Sequence, residues 1–113
     1  MLSFRTAFFI PALLAVNLFM RYTVTNNEAK NRFEVREDDE ISFLDYLVSD
    51  GYISLLHTEV PEVSGGKGIA SSLSEYAFQY ASEKNLQVKI YCAFVVTYVK
   101  RHPDLQSIVH QKK

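Results

Sequence analysis

From Arg32 to Arg36 polar and apolar residues alternate, the two-residue period of a strand that buries one face. Glu37-Asp38-Asp39-Glu40 is wholly charged and reads as a solvated turn. Ile41 to Val48 forms a second strand, Ser49-Asp50-Gly51 a turn signal, and Tyr52 to Val60 a third strand. Connections this short join antiparallel neighbours, so the three strands form a meander. The period then changes. Ile69, Leu73, Tyr76, Ala77 and Tyr80 recur at helical intervals and predict a helix from about Gly66 to Lys84, with Asn85 as its C-cap. Leu86 to Tyr91 returns to strand and lies parallel to the third, because the helix between them is a crossover. Phe94 to Arg101 predicts a second helix with Phe94, Val95, Tyr98 and Val99 as its apolar positions, ended by Pro103. The tail from Asp104 is expected to be short, helical or irregular. The predicted fold class is α/β (α+β) with a mixed sheet: a meander, a helix crossover to a parallel strand, and a second helix.

Residues 1–22 do not share this patterning. They carry Arg5 and Arg21, no acid, and an apolar stretch from Ala7 to Met20 that Pro11 and Asn17 interrupt. The stretch is short for a membrane span. It fits a targeting or anchoring extension, with membrane contact open to it, or an extension packed on the domain. Residues 23–113 then form one domain, and cytoplasm and mitochondrion both stay open as locations. The 113-residue length suits a single folded domain, expected to be a monomer. The formal net charge of -1 gives no global reason to expect nucleic acid. The single cysteine, Cys92, excludes an internal disulfide, and His57, His102 and His110 are too scattered for a zinc site. The C-terminal part is basic: from Lys84 onward six Lys or Arg face Asp104 alone. That charge suits an anionic cofactor or partner, or an ordinary solvated surface.

The candidate chemistry centres on the run from His57 to Ala70. An extended segment leads into Ser64-Gly65-Gly66-Lys67-Gly68, and the helix opens directly behind, at Ile69 and Ala70. Glycine lets backbone N–H groups approach a ligand, and the first helical turn leaves N–H groups without internal acceptors. Together with the helix dipole they form a cradle for an anion, so a nucleotide-type cofactor carrying a pyrophosphate is expected. Lys67 projects from this loop. His57 and Glu59, two apart on one strand, share a face, and either is a candidate general base. Cys92 stands before a helix, a position that favours a reactive thiolate. Each has an ordinary structural alternative: turn glycines, a satisfied histidine, a surface carboxylate, an inert buried thiol.

Strand, glycine loop, helix, strand and second helix, in this order, resemble the core of the GNAT superfamily of acetyl-CoA-dependent N-acetyltransferases. The superfamily loop reads Gln/Arg-x-x-Gly-x-Gly/Ala. Gly66 and Gly68 take the glycine positions, while Val63 replaces the Gln or Arg and leaves more of the phosphate binding to the backbone of residues 64–70. His-Thr-Glu-Val-Pro-Glu (57–62) and Tyr-Cys-Ala-Phe-Val-Val-Thr-Tyr-Val-Lys-Arg-His-Pro-Asp (91–104) narrow the resemblance to the compact single-domain N-acetyltransferase domain-containing family, over about Asn27 to Asp104.

The resemblance implies acetyl-CoA or coenzyme A as cofactor and an amine on a protein, peptide or small molecule as acceptor. It implies that the backbone at Val60 bonds the pantetheine arm and that Ser64, Gly65, Gly66, Lys67, Gly68, Ile69 and Ala70 hold the pyrophosphate. Phe94 also faces the cofactor, and Lys100, with Arg101 and His102, meets its ribose phosphate. Cys92 would lie by the thioester, where an acetyl-cysteine route competes with direct attack, and Tyr98 would protonate the leaving thiolate. The larger enzymes' extra elements have no room here, so the acceptor site is expected to be open. The competing reading is a non-catalytic acyl-CoA-binding or sensing module.

Overall fold

A computed structural model describes residues 22–65 and 68–110. Five strands lie in sequence order in one sheet: β1 (Thr25–Asn27), β2 (Arg32–Glu37), β3 (Glu40–Ser49), β4 (Tyr52–Glu59) and β5 (Gln87–Ile90). β1 to β4 pair antiparallel and β5 pairs parallel to β4. Helix α1 (Ile69–Glu83) makes the crossover, and α2 (Ala93–Arg101) follows β5. The mixed α/β sheet with a parallel final strand is the predicted one. The expectation for the N-terminal extension, residues 1–22, lies outside the described residues except at Tyr22, which packs against the core, and Gly66 and Lys67 also lie outside them.

Turn chemistry sets the hairpins. Asp50 and Gly51 both have positive φ, 53° and 82°, as the tight two-residue connection between Ser49 and Tyr52 demands. The β2–β3 turn likewise tightens to Asp38-Asp39 between paired Glu37 and Glu40. Alternation then sorts the sheet. Phe33, Val35, Leu44, Tyr46, Ile53, Leu55 and Val88 are buried on one face, against Ile69, Leu73, Ala77, Phe78 and Ala81 of α1 and Val95, Tyr98 and Val99 of α2. Phe33 stacks on Tyr46 at 4.4 Å and meets Tyr76 and Tyr80 edge-on. Arg32 and Glu34, out of phase with that core, sit instead beside Phe43 and Asp45.

Several boundaries and faces differ from the expected ones. β1 was not predicted, because Thr-Asn-Asn has no apolar alternation. Side chains hold it in place: Tyr46 Oη donates to Asn26 Oδ1 at 2.7 Å, and Asn27 Nδ2 donates to Glu34 Oε2 at 3.0 Å. Helix α1 begins at Ile69, since Gly68 is in the left-handed region (φ 84°) and cannot continue a right-handed helix. Its C-cap is Lys84. Asn85, expected there, lies one residue further with φ 56°. Asn85 N–H donates to Ser82 O and Leu86 N–H to Ala81 O, the paired bonds of a Schellman ending. Tyr76 and Tyr80 are only half-buried, while Phe78 and Ala81 fill the centre of the face. Phe94, expected on the apolar face of α2, is 39% exposed, because that face is set by Val95, Val99 and Tyr98 at their helical spacing. The tail forms a short 3-10 segment, Pro103–Ile108, after which Val109 bridges to Val88.

Candidate active site

The site lies where β4 and β5 part. Their pairing ends at Leu55 and Ile90, and the last bond between them runs from Tyr91 N–H to Leu55 O at 2.9 Å. β4 continues to Glu59, paired with β3 alone, while the other chain turns at Cys92 into α2. The parted strands leave backbone groups of the last β4 residues with no β5 partner. Between them is a cavity of about 450 Å³, lined by Leu56, Thr58, Val60 and Ala70 on one side and Tyr91, Cys92 and Phe94 on the other.

A bulge decides which side chains enter it. Tyr46 pairs with Leu55 and Asp45 with His57, so Leu56 is an extra residue with no partner across the ladder. Strict alternation from buried Ile53 and Leu55 would bury His57 and Glu59 too. The extra residue inverts the phase. Thr58 now turns toward the core side and places its Oγ1 3.1 Å from Cys92 Sγ. His57 and Glu59 turn to the opposite face, each about 60% exposed, with His57 Nε2 2.8 Å from Glu59 Oε1. His57 also meets the Phe43 ring edge-on at 6.3 Å, and Arg32 caps that ring at 3.8 Å. Thr58 is thus a site residue that sequence reasoning missed. The signal was present, because adjacent Leu55 and Leu56 break the alternation of a simple strand.

The candidate phosphate loop is described at Ser64, Gly65 and Gly68. Gly65 ends a 3-10 turn, Glu62–Ser64, with its N–H bonded to Glu62 O at 3.1 Å. Gly68 precedes α1, whose first bond is Ser72 N–H to Gly68 O. Helical geometry leaves the N–H groups of Ile69, Ala70 and Ser71 without acceptors inside the helix, and no side chain of Gly68 caps them. These are donors for an anion, and Ala70 is among the residues that line the cavity.

Val60, Ala70, Cys92 and Phe94 therefore border one cavity, with His57 at its rim. Tyr98 and Lys100 do not. Tyr98 is buried between Phe78 and His102, at ring separations of 6.3 and 4.2 Å, and lines a separate cavity with Glu75 and Asp104. Burial, with lesser effects from Glu75 and Asp104, pushes its hydroxyl up to about 12. His102 Nδ1 lies 2.9 Å from the Tyr98 carbonyl oxygen, which fixes the hydrogen on that nitrogen. Lys100 lines a third cavity with Lys89 and His110, beyond Tyr91. Among the described residues no group of His, Cys, Asp or Glu is arranged to hold a metal ion. No helix among them is long and apolar enough to cross a membrane.

The comparisons point one way. A family model described as GCN5-related N-acetyl-transferase matches residues 32–108. The chain is 31% identical over 91 residues to the Gallus gallus protein called NATD1, spanning 77% of this chain and 82% of that protein. To the NATD1 of Danio rerio it is 28% identical over 101 residues, 84% of this chain and 92% of the other. To that of Homo sapiens it is 31% identical over 84 residues, 71% and 74%. Among solved structures, a GCN5-like protein from Staphylococcus aureus shares the fold, with a TM-score of 0.63 at 22% identity, covering 81% of this chain and 91% of that one.

Proposed function

The chain belongs to the GCN5-related N-acetyltransferase family, and on that premise we propose that it transfers an acetyl group from acetyl-CoA to an exposed peptide or protein amine. One observation carries the reading: β4 and β5 part beyond Leu55 and Tyr91, beside the free N–H groups of α1. The pyrophosphate would lie on those N–H groups, at residues 64–70. The pantetheine arm would run along β4 past Val60, bonding to its unpaired backbone as an added strand does. Its thioester would then reach the cavity wall formed by Leu56, Tyr91 and Cys92.

The amine arrives from the face that the helices leave uncovered, because His57 and Glu59 stand there. With Glu59 accepting from His57 Nε2, the other ring nitrogen, Nδ1, is the proton acceptor. The neutral amine attacks the carbonyl carbon, a C–N bond forms, and the C–S bond breaks. His57 takes the proton that the nitrogen loses, and the CoA thiolate leaves. This route needs no covalent enzyme intermediate. The observation favouring the alternative is Cys92, at the start of α2 and 3.1 Å from Thr58. There the thiol would carry the acetyl group first, as a thioester, and then yield it to the amine.

The test is calorimetric titration with acetyl-CoA, followed by a screen of peptide amines. Direct transfer predicts that His57→Gln lowers kcat by about 10²–10⁴-fold while acetyl-CoA still binds, the usual range for loss of a general base. Tight acetyl-CoA binding with no transfer to any amine would leave a binding or sensing module. Absence of binding by the folded chain would remove both readings.

A further inference from the structure

Beyond Tyr91 lies another cavity, of about 410 Å³, between β5, the outer side of α2 and the C-terminal tail. Val96, Val99 and Val109 give it apolar walls, and Lys89, Lys100 and His110 bring three basic side chains to it. The tail is fastened there by the Val88–Val109 bridge and by His110 N–H donating to Val88 O at 2.8 Å. One ring orients two of the basic groups: Tyr52 meets the His110 ring edge-on at 5.1 Å and lies 4.1 Å beneath Lys89 Nζ. Lys89 and His110 are half-buried. Among the described residues no carboxylate lines the cavity, and none of the ion pairs involves Lys89, Lys100 or His110. An incoming anion would supply the counter-charge that no described residue of the cavity provides.

The position of the cavity argues against the cofactor phosphates as that anion. Tyr91 borders both cavities, while Ala70, at the start of α1, lines only the Cys92 cavity. Among the described residues, none from Ser64 to Ala70 borders the basic cavity. Val88 faces the core, so Lys89 beside it turns with Tyr52 to the face that the helices leave uncovered, the face from which the amine arrives in the transferase reading. Distances along the elements set the reach. Lys89 is about 7 Å from Tyr91 along an extended strand, and Lys100 is about 11 Å from Ala93 along the helix. An extended peptide advances roughly 3.3 Å per residue.

We propose that this cavity receives an acidic side chain of a peptide acceptor, two or three residues beyond the amine that is acetylated. The proposal rests on the transferase reading and names its substrate class.

The test uses the full chain and two peptides that differ only in having Glu or Gln at the third and fourth positions. The Glu peptide should show a KM about tenfold lower, the effect of one good ion contact. Lys89→Gln should bring the two KM values together, and Lys89→Arg should restore the difference. The KM for acetyl-CoA should stay constant throughout. Equal KM values in the parent chain would overturn the proposal. So would a Lys89→Gln variant with a raised KM for acetyl-CoA, because the cations would then serve the cofactor. Acetyl-CoA binding without transfer to either peptide would mean that the transferase reading fails. Peptide binding, followed by amide NMR shifts at Val88–Tyr91 and Val109–His110, would still decide the docking. Glu-peptide binding lost in Lys89→Gln upholds it; equal or absent binding of the two peptides removes it.

Discussion

Gly68→Ala separates the conformational role of the loop from its contacts. Gly68 holds φ 84° and ψ 10° directly before α1. A Cβ built there meets nothing within 4 Å, so the substitution introduces no clash and its cost is in the backbone alone. The left-handed region costs an L-residue roughly 1–2 kcal/mol. Alanine also restricts the unfolded chain, which offsets about 0.4–1 kcal/mol. The net loss is then about 1 kcal/mol, or a fall in Tm of about 4–8 °C. Gly51→Ala is the matched control: its φ is 82°, its added Cβ also meets nothing, and it sits in the β3–β4 turn. Both variants should lose similar stability in thermal unfolding. Only Gly68→Ala should weaken acetyl-CoA binding in calorimetry, by about tenfold, the equivalent of one N–H contact to an anion. A Gly68→Ala chain as stable as the parent would refute the conformational argument. Equal loss of acetyl-CoA affinity in both variants would refute the placement of the phosphate loop.

At the end of α1, Asn85→Ala should cost about 1 kcal/mol in urea unfolding because of its left-handed backbone, whereas Asn85→Gly should stay within a few tenths of the parent. The Tyr98 hydroxyl, raised to about 12 by burial, keeps its proton in the folded chain at a pH where the unfolded chain releases it. Its contribution is therefore complete below about pH 10 and is lost as pH rises toward about 12. Tyr98→Phe should reduce the stability lost between about pH 10 and about pH 12, and an undiminished loss would contradict the assignment. The same variant should hold kcat within about threefold, since Tyr98 lines a different cavity from Cys92. For Cys92→Ser, direct attack predicts turnover retained within about threefold, and the parent chain mixed with acetyl-CoA should show no acetyl adduct in intact-mass measurement. Abolished turnover together with an adduct on the parent would favour the two-step route.

Much of the scaffold is local information, and residue order was enough to read it. The alternation in Arg32–Arg36, the charged turn after it, Asp50-Gly51 and the helical spacing of Ile69, Leu73 and Ala77 each reflect short-range geometry. So does the crossover rule that made β5 parallel to β4. The glycine-rich run before α1 was legible for the same reason, because donors at a helix start follow from helical geometry alone. Strand β1 escaped because Thr25–Asn27 are held by side chains 7 and 20 residues away, not by any pattern of their own.

The identity of the site's side chains was a tertiary matter. One unpaired residue, Leu56, inverts the phase of β4, sending Thr58 to Cys92 and leaving His57 and Glu59 on the open face. The Leu55-Leu56 pair marks a break in alternation, but which residue goes unpaired is set by the register with β3 on both sides of it. Tyr98 and Lys100, adjacent in motif to Cys92, were separated from it by the direction of α2. Lys89, Lys100 and His110 came together only because the tail returns to pair with Val88. Periodicity determined which elements form and which faces they bury, while long-range pairing decided which side chains meet, because contact depends on register and not on order along the chain.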